Sequence, residues 1–366
     1  MDDFAVRLIK WQKKYGRHRL PWQQTRDAYR IWLSEIMLQQ TQVNTVIDYY
    51  QRFLAKFPTV QALAQASLDE VMSMWAGLGY YSRARNLHRC AQEIVNNYAG
   101  LFPSDPGQLS QLPGIGRSTA AAIGAFAYGA QAAILDGNVK RILTRIFGVA
   151  GHPGVKIVER QLWQLARRLL PQSDIETYTQ GLMDLGATLC KRAQPVCLQQ
   201  ARLCPFSDAC VAYSENRIHE LPTPKPTKTL PLRQAVALII RKQQNVLLQR
   251  RQPNGIWGGL WCLPQIDITD TVIWPDVIDE RWLGPAQTFG KITAYQTFPV
   301  YLHTFTHFRL RLLPLLVEVA ETKTTSCARQ NKADYTETSQ QWFSRTDFAS
   351  IGMPTPVKRL LQSLSE

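Results

Sequence analysis

The stretch Leu112-Pro-Gly-Ile-Gly-Arg-Ser-Thr-Ala120, with Leu135-Asp-Gly-Asn-Val-Lys-Arg141 behind it, constrains this chain more than any other. A Pro-Gly-x-Gly turn running straight into an Ala-rich, helix-compatible segment leaves first-turn amides unpaired where the helix dipole is positive, which suits a phosphate. No side chain in the turn can pair with a base, so it would hold a nucleic-acid backbone in register without reading sequence. One acid, Asp136, follows the apolar pair Ile134-Leu135 and precedes a helical pattern of Val139, Ile142, Leu143, Ile146 and Phe147, with Lys140, Arg141 and Arg145 interleaved. Asp136 reads as the N-cap of that helix. The less frequent reading is a carboxylate beside a phosphate grip, where a cation formed in a nucleotide sugar could be stabilised. Both roles can hold at once, because one oxygen can cap while the other faces a substrate.

Charge agrees with a polyanionic partner. The 366 residues carry a formal +14, divided as +8 over residues 1–220 and +6 over 221–366. The Pro-rich segment Leu221-Pro-Thr-Pro-Lys-Pro-Thr-Lys-Thr-Leu-Pro231 marks a semi-rigid linker. The expected division is a helical catalytic domain with a cysteine cluster at 1–220, a linker at 221–232 and a second domain at 233–366. No run of about 18 apolar residues and no signal peptide is present, which argues against a membrane partner.

Asp2 or Asp3 is expected to cap a first amphipathic helix carrying Phe4, Leu8 and Trp11, and a basic loop containing Trp22 and Gln23 follows it. Tyr29, Trp32, Leu33, Ile36 and Met37 form a buried helical stripe. Glu35, Gln39 and Gln42 lie off it and share another face if the helix continues that far. A lone Glu on a helix is ordinarily a solvated residue. Ser67-Leu-Asp-Glu70 is a capping box. Gly77-Leu-Gly-Tyr-Tyr-Ser-Arg-Ala-Arg85 offers an aromatic wedge and cations for a bent duplex, although core packing accounts for the tyrosines as well. Helices are expected near 156–170 and 175–190. Past the linker, Ala235-Val-Ala-Leu-Ile-Ile240 and Val246-Leu-Leu248 around a polar turn signal a β-hairpin.

The Leu-Pro-Gly-x-Gly turn and the aspartate beyond it resemble the signature of the helix-hairpin-helix DNA glycosylases. More narrowly, Trp32-Leu-Ser-Glu-Ile-Met-Leu-Gln-Gln-Thr-Gln42 and Leu20-Pro-Trp-Gln23 resemble the MutY adenine DNA glycosylases. The resemblance implies two domains: an all-α helix-hairpin-helix glycosylase domain with an iron-sulfur cluster loop, then an α+β Nudix-like domain. It implies removal of adenine mispaired with 8-oxoguanine or guanine from double-stranded DNA, by a cytoplasmic, nucleoid-associated bacterial enzyme acting as a monomer. Carried over to this chain, Glu35 is the general acid toward the flipped adenine and Asp136 the anion facing the sugar. Gln39 and Tyr80 enter the duplex, Trp22 and Gln23 flank the base pocket, and Gly114, Gly116, Ser118, Asn138 and Lys140 hold the DNA. Gly255-Ile-Trp-Gly-Gly-Leu-Trp-Cys-Leu-Pro-Gln265 is similar to a strand and turn of the family's carboxy-terminal domain. In His303-Thr-Phe-Thr-His-Phe308, residues Phe305, Thr306 and His307 match the loop that recognises 8-oxoguanine, with threonine in place of serine. No acidic Nudix box follows, which argues against pyrophosphate hydrolysis.

Four of the seven cysteines stand as Cys190-x6-Cys197-x6-Cys204-x5-Cys210, a spacing for metal rather than disulfides. The family pattern for one four-iron four-sulfur cluster has a middle spacer shorter by four residues. Gln199-Gln-Ala-Arg202 is therefore expected to bulge outward from a retained cluster, with tetrahedral zinc as the alternative. Two other functions compete. Endonuclease III-like pyrimidine glycosylase/AP lyases share the hairpin, aspartate and cluster, but carry a lysine where this chain has Ser118. A non-enzymatic DNA-damage sensor would use hairpin and cluster only to dock.

Overall fold

The computed structural model describes residues 3–226, 229–268, 278–320 and 339–363. Its chain forms two compact units, one of Met1–Gln65 with Asn86–Thr227, the other of Ala66–Arg85 with Lys228–Glu366. The second unit thus takes in residues 66–85, a stretch that a division at the linker assigns to the first.

The first unit is helical. It contains α1 (Phe4–Tyr15), α2 (Ala28–Leu38), α3 (Val43–Lys56) and α4 (Val60–Gln65), while α5 (Leu68–Trp75) belongs to the second unit. Next come α6 (Ser82–Tyr98), which begins in the second unit, α7 (Pro106–Leu109), α8 (Arg117–Tyr128), α9 (Gly137–Phe147), α10 (Lys156–Arg168), α11 (Ile175–Asp184) and α12 (Val211–Ser214). The core gathers Phe4, Leu8 and Trp11 of α1, the alanine face of α8, Ile134-Leu135, the apolar stripe of α9, and Tyr178, Leu182 and Phe206. Phe4 stacks on Phe206 with ring centroids 4.5 Å apart, tying the start of the chain to the cysteine-bearing loop.

Three local expectations are corrected. Asp3 makes no side-chain cap to α1, and Asp2 lies outside the described residues. Helix α2 stops at Leu38, because Gln39 turns extended (ψ 110°) and Gln40 is left-handed (φ 57°), so Gln42 precedes α3 instead of sharing a face with Glu35. The helix expected over 175–190 is α-helical only to Asp184 and widens to a π-turn over Leu185–Leu189. Its cause is tertiary: a Cβ at Gly186 would stand 2.5 Å from that of Asn138 on α9, and Arg141 Nη2 donates to the Gly186 carbonyl at 2.8 Å.

In the second unit, β1 (Leu232–Lys242), β2 (Asn245–Arg250), β3 (Trp261–Cys262), β4 (Gln265–Ile268), α13 (Gly284–Gln287), β5 (Lys291–Thr297), β6 (Tyr301–Thr304), β7 (Arg309–Ala320), β8 (Gln340–Phe343) and α14 (Thr355–Ser363) follow in order. The sheet path is β3-β2-β1-β7-β5, with β4 on β1, β6 on β7 and β8 on β2; β1 and β7 are parallel, every other pairing antiparallel. Residues 235–240 of β1 are all buried, as a central strand covered on both faces requires. Residues 66–85 are fastened here by Arg250 Nη2 to Asp69 at 2.6 Å, by Arg85 Nη1 to the Gly258 carbonyl at 2.6 Å, and by close packing of Gly352 on Met72.

Candidate active site and nucleic-acid interface

The hairpin is built as its residues dictate. Gly114 has φ 78°, a conformation that favours glycine, and a Cβ there would meet Asn86 at 2.8 Å. Gly116 is the N-cap of α8 and supplies no side-chain cap, so the first-turn amides remain for an outside acceptor. Ser118 Oγ accepts from the Leu135 N–H at 2.9 Å, which ties the hairpin helix to the segment ending at Asp136. Gln39 Nε2 reaches Thr119 Oγ1 on the same helix at 3.4 Å, so the end of α2 also meets the hairpin.

Asp136 does cap α9: Oδ1 accepts from the Val139 N–H at 2.8 Å. Burial raises its carboxyl above the ordinary range, while the backbone amides and Arg141 pull it back. Glu35, on α2, is pushed up to about 8, first by burial and then by the negative charge of Asp136. Two acids thus share one environment near the hairpin: Glu35 is suited to keep a proton for a leaving base, and Asp136, with amides and Arg141 favouring its anion, is the group that could face an oxocarbenium-like sugar.

Around this pair the expected residues have distinct surroundings. Asn138 Oδ1 accepts from Arg141 Nη2 at 2.8 Å, and Arg141 Nε donates to the Cys190 carbonyl at 2.7 Å, linking the start of α9 to the cysteine loop. Lys140 Nζ is paired with Glu159 of α10 at 2.6 Å. Trp22 is only 8% exposed, edge-on to Tyr50. Gln23 spends its amide within its own loop, donating to the Arg17 carbonyl at 2.8 Å and accepting from the Leu20 N–H at 3.0 Å. That loop is held in turn by wholly buried Asp184, which accepts from Arg17 N at 2.8 Å and Nε at 2.7 Å.

Tyr80 belongs to the second unit. It is 45% exposed at φ 49°, a strained conformation held by Arg83, which donates to the Leu78 and Gly79 carbonyls at 3.3 and 3.1 Å and stacks on the rings of Trp75 and Tyr80. In the same unit the β6–β7 hairpin closes through the Phe305 N–H to the Phe308 carbonyl at 2.9 Å, leaving Thr306 and His307 exposed at its tip. Phe305 packs against His303, Phe308 and Trp257, the last at φ 56°.

Cys190, Cys197, Cys204 and Cys210 line one cavity with Ile142, Ile146, Leu185 and Leu189. Among the described residues no three or more His, Cys, Asp or Glu side chains converge tightly enough for a single ion. Burial pushes the Cys204 thiol up to about 12 and raises Cys197 and Cys210. Such thiols ionise only against a strong positive centre. Arg145 supplies part of that field: it is 3% exposed, its Nη1 lies 3.5 Å from Cys190 Sγ, and its remaining donors hold the Lys191, Arg192 and Leu221 carbonyls. Gln199 and Gln200, between two short 3-10 turns, and Arg202, within the second, are exposed between the second and third cysteines. Sequence reasoning missed the roles of Arg83, Arg141, Arg145 and Asp184. An arginine one helical turn from another reads as a solvated pair, and nothing local signals a carbonyl partner 46 residues away.

Two family models match the chain: a HhH-GPD superfamily base excision DNA repair protein over residues 33–168 and a NUDIX domain over residues 235–363. Among curated relatives, an adenine DNA glycosylase of Buchnera aphidicola subsp. Acyrthosiphon pisum (strain APS) is 34% identical over 364 residues, spanning 99% of this chain and 98% of its own. One from Homo sapiens is 30% identical, spanning 98% of this chain and 73% of its own. Among solved structures, a thermostable thymine-DNA glycosylase superposes with a TM-score of 0.52 at 29% identity, over 58% of this chain and 95% of its own.

Proposed function

Because the chain belongs to the adenine DNA glycosylase family by identity over nearly its whole length, we propose that this base excision repair enzyme hydrolyses the N-glycosidic bond of adenine mispaired with 8-oxoguanine or guanine in double-stranded DNA. The observation that carries the mechanism is the coupling of Glu35, its carboxyl pushed up to about 8, to the negative charge of Asp136, whose own ionised form is favoured by backbone amides and Arg141. The hairpin amides take a phosphate, and the adenine leaves the stack at a cost of a few kcal/mol. Glu35 donates its proton to the departing base, and the Asp136 oxygen not spent on the Val139 amide stabilises the positive sugar. Water then adds to the sugar C1′ and gives up a proton, which the Glu35 carboxylate takes back.

The enzyme is monofunctional. Ser118 stands where a Schiff-base lysine would be and its oxygen is used by Leu135, while the Lys140 ammonium is committed to Glu159. In this reading Gln39 enters the duplex, Tyr80 is the family's wedge residue, Trp22 and Gln23 flank the base, and Asn138 and Lys140 contact the backbone, Lys140 from beside its Glu159 partner. Phe305, Thr306 and His307 read the 8-oxoguanine. The four thiols fit a four-iron four-sulfur cluster better than one tetrahedral zinc, since they surround a cavity with an apolar floor. Bound there, the cluster supplies a cross-link that holds residues 190–210 against α9. The enzyme works as a cytoplasmic, nucleoid-associated monomer, and among the described residues no helix is long and apolar enough to cross a membrane.

Single-turnover release of free adenine from an adenine:8-oxoguanine duplex tests the reading. Glu35→Gln and Asp136→Asn should each lower the rate by at least a hundredfold. Unchanged rates in both variants would leave a damage sensor as the better account.

A further inference from the structure

We propose that the exposed basic stripe of α10 is a second contact for the duplex backbone, engaging phosphates beyond those held by the hairpin. The inference rests on the DNA-repair reading above and extends its binding surface. On α10 the buried residues are Val158, Leu162 and Ala166. At about 100° per residue, Lys156, Arg160, Trp163 and Arg167 fall within a narrow stripe beside that buried face, whereas Arg168 points about 100° away from Arg167. Two contacts fix what the stripe borders. Trp163 lies flat under the Arg117 guanidinium at 3.8 Å, and Arg117 is the first residue of the hairpin helix. Glu159, on the same edge of α10, holds Lys140 of α9.

The stripe is therefore continuous with the phosphate grip, and its charge is not cancelled. Glu159, the one acid of α10, is occupied by Lys140, and Asp174 and Glu176, which follow in sequence, pair with Lys13 and Arg26. Among the described residues Lys156, Arg160 and Arg167 are exposed and form no ion pair. From Lys156 to Arg167 the helix rises about 16 Å, comparable to about five phosphate steps along a strand. Exposed cations at that spacing, beside amides that already favour an anion, complement a nucleic-acid backbone and carry no base-reading geometry.

The test uses the full chain in a Glu35→Gln background, so that the duplex stays intact, and a duplex of about 30 base pairs bearing adenine:8-oxoguanine. Binding is measured across a salt series. The Lys156→Ala/Arg160→Ala/Arg167→Ala variant should lower the slope of log K against log salt by about 2 to 3, since each phosphate contact contributes about 0.9. Its thermal midpoint should match the parent's. Arg168→Ala, off the stripe, should leave the slope alone. An unchanged slope in the triple variant overturns the proposal, and so does an equal effect of Arg168→Ala, which would reduce it to general charge. A parent protein with no salt-dependent duplex binding would instead sink the broader DNA reading, so the two failures are distinguishable.

Discussion

Glu35 and Asp136 set the pH behaviour of the site. The folded chain keeps the Glu35 proton up to about 8, whereas the unfolded chain loses it in the ordinary carboxylate range. Between those limits the folded state binds more protons, so this group's contribution to stability falls as pH rises through the window. Two outcomes follow from that sign. Single-turnover adenine release should decline above about pH 8 as the general acid ionises, and Glu35→Gln should lose that limb while gaining stability relative to the parent at alkaline pH. Asp136 separates its two roles by substitution. An asparagine side chain can still accept the Val139 N–H, so Asp136→Asn should leave the melting temperature nearly unmoved while activity collapses. Asp136→Ala should lose the cap as well, at about 1 kcal/mol, readable by denaturant unfolding.

Among the elements, the π-turn at Leu185–Leu189 is where the site is braced. It exposes the Gly186 carbonyl to Arg141, and Arg141 in turn orients Asn138 beside the capping aspartate. Gly186→Ala would drive a Cβ into Asn138 and should cost about 1 to 3 kcal/mol, with loss of adenine release greater than the stability change explains. Ser118→Ala removes the acceptor of the Leu135 N–H. That substitution should destabilise by about 1 to 3 kcal/mol and, because no Schiff-base lysine stands there, should create no strand cutting on an adenine-mismatch duplex.

At the scale of the molecule, the chain's order and its packing divide it differently. Residues 66–85 belong with the carboxy-terminal unit through Asp69, Arg85 and the close fit of Met72 on Gly352. A protein ended at residue 227 should therefore show amide exchange rising selectively over 66–85, while the amides of α9 stay protected. Deleting residues 199–202 shortens an exposed stretch, so iron content and visible absorption of the purified protein should persist. Their loss in that variant would place a structural duty on those residues.

Features governed by short-range physics can be read from the order of residues alone. A glycine turn feeding an alanine helix, a capping aspartate, the strict helical spacing of Trp32, Leu33, Ile36 and Met37, and the unbroken apolar run 235–240 are each legible because their causes lie within one helical turn or one strand. Local pattern could not end α2 at Leu38 or widen α11, because left-handed Gln40 and the approach of Gly186 to Asn138 exist only in the folded chain. Nor could it raise Glu35 to about 8. A carboxyl's affinity for its proton is set by the water that is removed and the charges that are brought near, and only tertiary packing does either.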